Sequence, residues 1–243
     1  MVFVIGSPRS GTSFLASAIG SCPGFADLGE VAALKAEIPL LAALEPAQAA
    51  ERIRRVLTLT RRLGLVAGLR AVEQTPETAF VAQAVRLALP GAALVHIVRD
   101  GRDVVCSLLE RGWLSAGRRG GDDAGLPYGA RPRFWVEPER RAEFEAASDV
   151  RRAAWAWRRY VEAAQAAGES VYEVRYERLA ADHEGTARDL AAHLDAAPEP
   201  LVGTLRAFSD SSIGRFRRDL TPEQLAEIDD EAGPLLCELG YLQ

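Results

Sequence analysis

Two short stretches of the chain carry residue types at spacings suited to holding tetrahedral anions. The first is Gly6-Ser7-Pro8-Arg9-Ser10-Gly11-Thr12-Ser13. It follows an apolar, β-branched run from Val2 to Ile5 and opens an apolar-periodic segment from Thr12 to Ile19. A strand, a glycine turn and a helix start in that order present successive backbone N–H groups to an anion, aided by the helix dipole. Gly6 and Gly11 allow close backbone approach, and Thr12 and Ser13 add hydroxyl donors. The second stretch is Arg99-Asp100-Gly101-Arg102-Asp103-Val104-Val105-Cys106-Ser107, directly after the strand-like run Ala93 to Val98. Ser107 lies about two helical turns beyond Arg99, so one guanidinium and one hydroxyl converge on a second anion. Alone, such a string also reads as a charged helix start with Asp100 as N-cap.

The Gly-x4-Gly spacing of the first loop matches a P-loop, but a nucleotide triphosphatase needs Lys and then Ser or Thr after the second glycine. Thr12 stands where that lysine belongs, and Arg9 is the strong cation of the loop. The loop is suited to holding an anion and lacks the parts that cleave ATP.

At these residues a resemblance becomes specific. Pro8 to Leu15 resembles the 5′-phosphosulfate loop of sulfotransferases that use 3′-phosphoadenosine 5′-phosphosulfate (PAPS), in bacterial members related to the tyrosylprotein branch. The resemblance implies that Arg9 neutralises the bridging and phosphate oxygens. It implies too that Ser10, Gly11, Thr12 and Ser13 bind the 5′-phosphate, with Phe14 near the adenine. Arg99 and Ser107 match the family's 3′-phosphate motif, and Arg111 matches a further phosphate-binding arginine of the tyrosylprotein branch. Val174 to Leu179 resembles a strand-end segment whose tyrosine, here Tyr176, lies by the adenine. Gly214 to Arg218 resembles the late loop that closes over the nucleotide; the resemblance implies that one of Arg215, Arg217 and Arg218 reaches the 3′-phosphate, and Arg217 is carried as the candidate although the sequence does not decide among the three.

Sulfuryl transfer asks for in-line positioning, stabilisation of a leaving anion, and a base for the acceptor proton. Arg9 is the electrophilic partner. Glu30, in Asp27-Leu28-Gly29-Glu30, resembles the catalytic glutamate of the tyrosylprotein and some bacterial branches, and it is also a residue type favoured at a helix start. Glu73, at the end of a strand, is the other candidate. Beside it Gln74 stands where the family often has lysine. His96 lies within an apolar strand and reads as core, while His183 and His193 fall in a C-terminal helix with nothing around them that points to catalysis.

The elements that must position these residues follow from periodicity. Strands are predicted at Val2 to Ile5, Leu69 to Glu73, Ala93 to Val98 and Ser170 to Val174. Helices are predicted at 12–19, 30–44, 47–63, 77–89, 102–111, 148–167, 182–194, 198–208 and 222–239. Alternating strands and helices imply an α/β fold: a P-loop-containing three-layer α/β/α sandwich with a central parallel sheet. Residues 1–243 are expected to form a single sulfotransferase domain. The stretch 112–147, rich in Gly, Arg, Asp and Pro, is expected to be a lid or acceptor-binding insertion, with Trp113, Tyr128, Phe134 and Trp135 as candidate walls.

A net charge of -5 disfavours a nucleic-acid partner. Lys35 is the only lysine; every other basic side chain is arginine. Cys22, Cys106 and Cys237 form neither a metal-binding pair nor a disulfide framework, and no metal site is expected. The short apolar start reads as neither signal peptide nor membrane span, so a cytoplasmic enzyme is expected. The function these features imply is transfer of a sulfuryl group from PAPS to a hydroxyl or amine of a small-molecule or carbohydrate acceptor, giving PAP. A P-loop small-molecule kinase and a non-catalytic PAP-binding protein are the alternatives. Acceptor identity and oligomeric state are not legible.

Overall fold

Five strands form one sheet in the order β2-β3-β1-β4-β5, with every neighbouring pair parallel. They are β1 (Val2–Ile5), β2 (Phe25–Asp27), β3 (Arg70–Glu73), β4 (Ala93–Val98) and β5 (Val171–Arg175). The computed structural model describes residues 1–115, 133–168 and 170–242. Tyr128 and residues 116–132 of the expected insertion lie outside the described residues.

The helices are α1 (Thr12–Gly20), α2 (Ala32–Leu41), α3 (Pro46–Val56), α4 (Thr58–Ala67), α5 (Ala82–Ala88), α6 (Gly101–Arg111), α7 (Arg141–Ala146), α8 (Asp149–Gln165), α9 (Tyr176–Ala181), α10 (His183–Leu194), α11 (Pro198–Leu205), α12 (Phe216–Asp219) and α13 (Pro222–Glu238). A 3₁₀ turn, Pro76–Val81, leads into α5. The central strand shows why the sheet has two covered faces. Val2 and Val4 of β1 pack with Leu15, Ile19, Leu190, Leu194 and Leu201, from α1, α10 and α11. Phe3 and Ile5, on the opposite side of the pleat, pack with Leu34, Ile38, Ile53 and Val85, from α2, α3 and α5. On that second side Val98 of β4 joins a cluster built by α6, α8 and α13, with Val104, Trp157, Ile228 and Leu236. The result is the three-layer α/β/α arrangement that the alternating pattern predicts.

Two expectations are corrected. The sequence shows four strands, whereas the sheet has a fifth, β2. That strand is three residues long, follows Pro23-Gly24 and sits at the edge, so it has no run of alternation to reveal it. The helix expected over 47–63 is two helices that meet at Leu57, whose φ and ψ are −89° and 6°. Leu57 is fully buried, but α4 turns away and buries none of its residues, so a continuous apolar period concealed a change of axis.

Chain order fixes where function can sit. From the middle of the sheet the chain moves to one edge through β2 and β3, then crosses to β4 and β5 on the other side. The strand order thus reverses at β1, and the loops that follow β1, β3, β4 and β5 emerge at the same carboxyl edge. The close approach of β1 and β4 there demands glycine at position 6. Its φ is 152°, and a Cβ would lie 2.4 Å from the Ile97 carbonyl oxygen, a backbone atom that cannot rotate away. Gly6→Ala is expected to lower the free energy of unfolding by roughly 2–4 kcal/mol in urea denaturation. An unchanged midpoint would mean that the two strand ends are free to separate.

Candidate functional site

The turn after β1 is closed by a hydrogen bond from Ser10 N to Ser7 O, 3.1 Å, and holds Arg9 in the left-handed region at φ 71°. Gly11, the N-cap of α1, has φ 97°, and a Cβ there would stand 2.9 Å from the Tyr176 ring. No side chain caps α1, so its first N–H groups face the turn. Ser10 is fully buried and its Oγ has no hydrogen-bond partner. Thr12 is buried, and Ser13 Oγ donates to Gln74 Oε1 at 3.2 Å.

The turn after β4 meets this loop directly. Arg9 Nε donates to Ser107 Oγ at 3.0 Å, and Arg99 Nη1 donates to the Arg9 carbonyl at 3.2 Å. Arg99 is 4% exposed; its Nη2 donates to Ser212 O at 2.6 Å, and its guanidinium lies 4.4 Å from the centre of the Tyr176 ring. The nearest carboxylate in an ion pair with it is Asp103, at 3.9 Å, and Nε has no partner. Asp100 does cap α6, accepting from Arg102 N at 3.0 Å. The helix-start reading of this string is thus correct, and Arg99 and Ser107 each contact Arg9.

Asp103, buried two residues into α6, accepts from Gly214 N at 2.7 Å and Phe216 N at 3.0 Å, which docks the late loop onto the same spot. Burial raises its carboxyl above the ordinary value, partly offset by those two N–H donors. The three late arginines separate clearly. Arg215 pairs with Glu110 and Asp219, and Arg218 with Asp219. Arg217 is exposed, lies over the Phe216 ring at 4.8 Å, and has no ion pair among the described residues. Arg111, one turn beyond Ser107, is exposed at the end of α6. On the other flank, Phe208 meets Phe14 edge-to-face at 5.3 Å and Tyr176 at 4.7 Å, and Tyr176 Oη lies 3.0 Å from Ser212 Oγ.

A cleft opens beside Arg9, with about 890 Å³ of empty space including its mouth. Arg9, Thr12, Glu30, Lys35, Glu77 and Tyr160 supply its polar lining, and Trp113, Phe134 and Trp135 its aromatic walls. Glu30 sits in the loop after β2, which is laced to β3 by Leu28 N to Val72 O at 2.9 Å and Gln74 N to Gly29 O at 3.1 Å. Lys35 Nζ donates to Glu30 Oε2 at 2.7 Å and lies 3.6 Å from Glu77 Oε2. The Tyr160 hydroxyl donates to Glu77 Oε1 at 3.3 Å.

Glu73 does not line this cleft. It is fully buried, and its Oε1 accepts from Thr75 N at 2.9 Å, from the Thr75 hydroxyl, and from Val31 N at 3.3 Å. That bond to Val31 makes it a staple under the Glu30 loop. Burial pushes its carboxyl from near 4.5 up to about 7, against the pull of the three donors. His96 is buried in β4, and burial lowers it to about 4. Among the described residues no group of three His, Cys, Asp or Glu side chains could hold a metal ion, and no helix is long and apolar enough to cross a membrane.

Sequence reasoning missed Lys35, Glu77, Tyr160, Phe208 and Ser212. Only Lys35 carried a signal, as the sole lysine standing among the apolar positions of a helical run. The others become site residues through packing between distant elements.

Comparison with known proteins adds a family. Residues 47–200 match the sequence model of the sulfotransferase family. No curated protein matches in sequence. Among solved structures, the sulfotransferase domain from the curacin biosynthetic pathway superposes with a TM-score of 0.64 at 13% identity, covering 97% of this chain and 96% of that one. The sulfotransferase domain from the Synechococcus PCC 7002 olefin synthase gives 0.57 at 13% identity, over 96% and 94%. A sulfotransferase from Mycobacterium avium gives 0.58 at 14% identity, over 98% and 76%. At these identities the likeness is one of fold.

The staple carries a pH signature. A carboxyl raised on folding favours the protonated native state, so its contribution is fully present below about pH 4.5 and is lost as pH rises toward 7. Replacing Glu73 by Gln should remove that slope. The stability of the variant relative to wild type is expected to grow by on the order of 3 kcal/mol over this range. Parallel curves for the two proteins in denaturant titrations across pH would contradict the burial argument.

Proposed function

Because the chain belongs to the sulfotransferase family, we propose that it moves a sulfuryl group from PAPS to a hydroxyl or amine of a small-molecule or carbohydrate acceptor, releasing PAP. One observation carries the choice of donor: two anion-binding turns meet, through Arg9 to Ser107 at 3.0 Å and Arg99 to Arg9 O at 3.2 Å. A nucleotide with phosphate at both its 5′ and 3′ positions needs such a pair of neighbouring sites. The orphaned polar atoms fit it, since buried Ser10 Oγ lies on one turn and buried Arg99 Nε on the other.

In this reading Ser10, Gly11, Thr12 and Ser13 hold the 5′-phosphate at the uncapped start of α1. Arg99 and Ser107 hold the 3′-phosphate, with Arg217 and Arg111 at its open side. Phe14, Phe208 and Tyr176 border the adenine. PAPS supplies an activated sulfuryl group on a phosphate that leaves as an anion. Arg9 stands between the two turns and at the edge of the cleft, where it stabilises the charge growing on that phosphate oxygen. Glu30 takes the proton of the acceptor as the new oxygen–sulfur or nitrogen–sulfur bond forms and the sulfur–phosphate-oxygen bond breaks.

The acceptor enters the cleft lined by Trp113, Phe134 and Trp135. We read residues 1–243 as one catalytic domain whose stretch 112–147 shapes that entrance.

Transfer of label from PAPS to a panel of phenol, sugar and amine acceptors tests the reading. Glu30→Gln is expected to lower turnover about 10²–10⁴-fold with PAP affinity nearly unchanged. A loss under about tenfold would remove Glu30 as the base. Arg99→Ala is expected to weaken PAP binding by roughly 2–5 kcal/mol, read by calorimetry on folded protein. Unchanged affinity would remove Arg99 from the 3′-phosphate site.

A further inference from the structure

Lys35 lies on an unusual side of its helix for a cation. The buried positions of α2 are Leu34, Lys35, Ile38 and Leu41, so the only lysine of the chain occupies the apolar stripe and is 7% exposed. An ammonium buried to that degree persists only when it is paired. Among the described residues it meets two carboxylates, Glu30 at 2.7 Å and Glu77 at 3.6 Å, and all three side chains line the cleft that Arg9 enters. A lysine is a compact point charge that can sit between two such groups, where the planar fork of an arginine would claim one of them in a bidentate contact.

We infer that Lys35 is a positioning residue for sulfuryl transfer: it aims the Glu30 carboxylate at the acceptor and offsets the second carboxylate, Glu77, that shares the cleft. The inference rests on the proposal that Glu30 is the base. Lys35 engages Glu30 Oε2, which leaves Oε1 to receive the acceptor proton. Without the ammonium, two like charges face one another beside a polyanionic donor, and one carboxyl must bind a proton more tightly. Among the described residues the charged and titratable groups around Glu30 are Lys35 of α2, Arg9 of the first turn, Glu73 beneath it, Glu77 of the 3₁₀ turn, Tyr160 of α8, and Arg133 of the cleft lining. Of these, Lys35 and Glu77 have opposite signs, so their removal must move the pH dependence of transfer in opposite directions.

The test is the pH–rate profile of transfer from labelled PAPS by the full chain, in wild type, Lys35→Met and Glu77→Gln. In Lys35→Met the acid limb of the profile is expected to move to higher pH, and in Glu77→Gln to lower pH. An acid limb that stays put in either folded variant overturns the inference, because a lysine that merely fills space would leave it in place. If Lys35→Met does not fold or does not turn over, Glu77→Gln decides alone. The same assay on Glu30→Gln separates the two levels. Full turnover in Glu30→Gln sinks Glu30 as the base and with it the role given to Lys35. A dead Glu30→Gln beside an unmoved acid limb sinks the role of Lys35 alone.

Discussion

The site depends on one buried guanidinium. Arg99 leaves the end of β4 and is held by the carbonyl of Arg9, the carbonyl of Ser212 and the face of Tyr176. Those contacts tie together the turn after β1, the late loop and the start of α9. Its own carbonyl accepts from Trp157 Nε1 at 3.0 Å, which anchors the same strand end to α8. Carbonyls and a ring face stabilise a buried cation without neutralising it, and Asp103 at 3.9 Å is also occupied with two backbone N–H groups. A charge held in this way organises the surrounding loops and still has attraction to offer an anion.

The rest of the architecture serves that convergence. Strand order reverses at β1, so the turns after β1 and β4 are neighbours, and glycine at positions 6 and 11 lets them touch the backbone of β4 and the ring of Tyr176. The loop after β2 is sewn to β3 by backbone bonds and by Glu73, which brings Glu30 to the cleft from the other side of β1.

Much of this was legible in the residues. Val2 to Ile5 and Ala93 to Val98 announce buried parallel strands because both faces are apolar, and glycine spacing marks the turns that follow them. The family and the three-layer fold follow from those motifs. What the sequence concealed depends on contacts between distant parts of the chain. β2 is too short to show a period, and the break at Leu57 leaves the apolar period intact while changing the direction of the axis. Glu30, at a helix start, and Glu73, at a strand end, stand as rival bases in the sequence. Only packing shows that one lines a cleft and the other lies beneath it. Lys35 was visible as a lone lysine, but its place between Glu30 and Glu77 needs the fold of α2 onto the 3₁₀ turn.

The central claim is that two turns together read a nucleotide carrying phosphate at both ends of its ribose. Calorimetric titration of the wild-type chain with PAP at low salt, beside a titration with ATP and magnesium, tests it most directly. Tight binding of PAP with weak or absent binding of ATP is the expected result. Binding of ATP without binding of PAP would contradict the paired-turn account and shift the chemistry from sulfuryl to phosphoryl transfer.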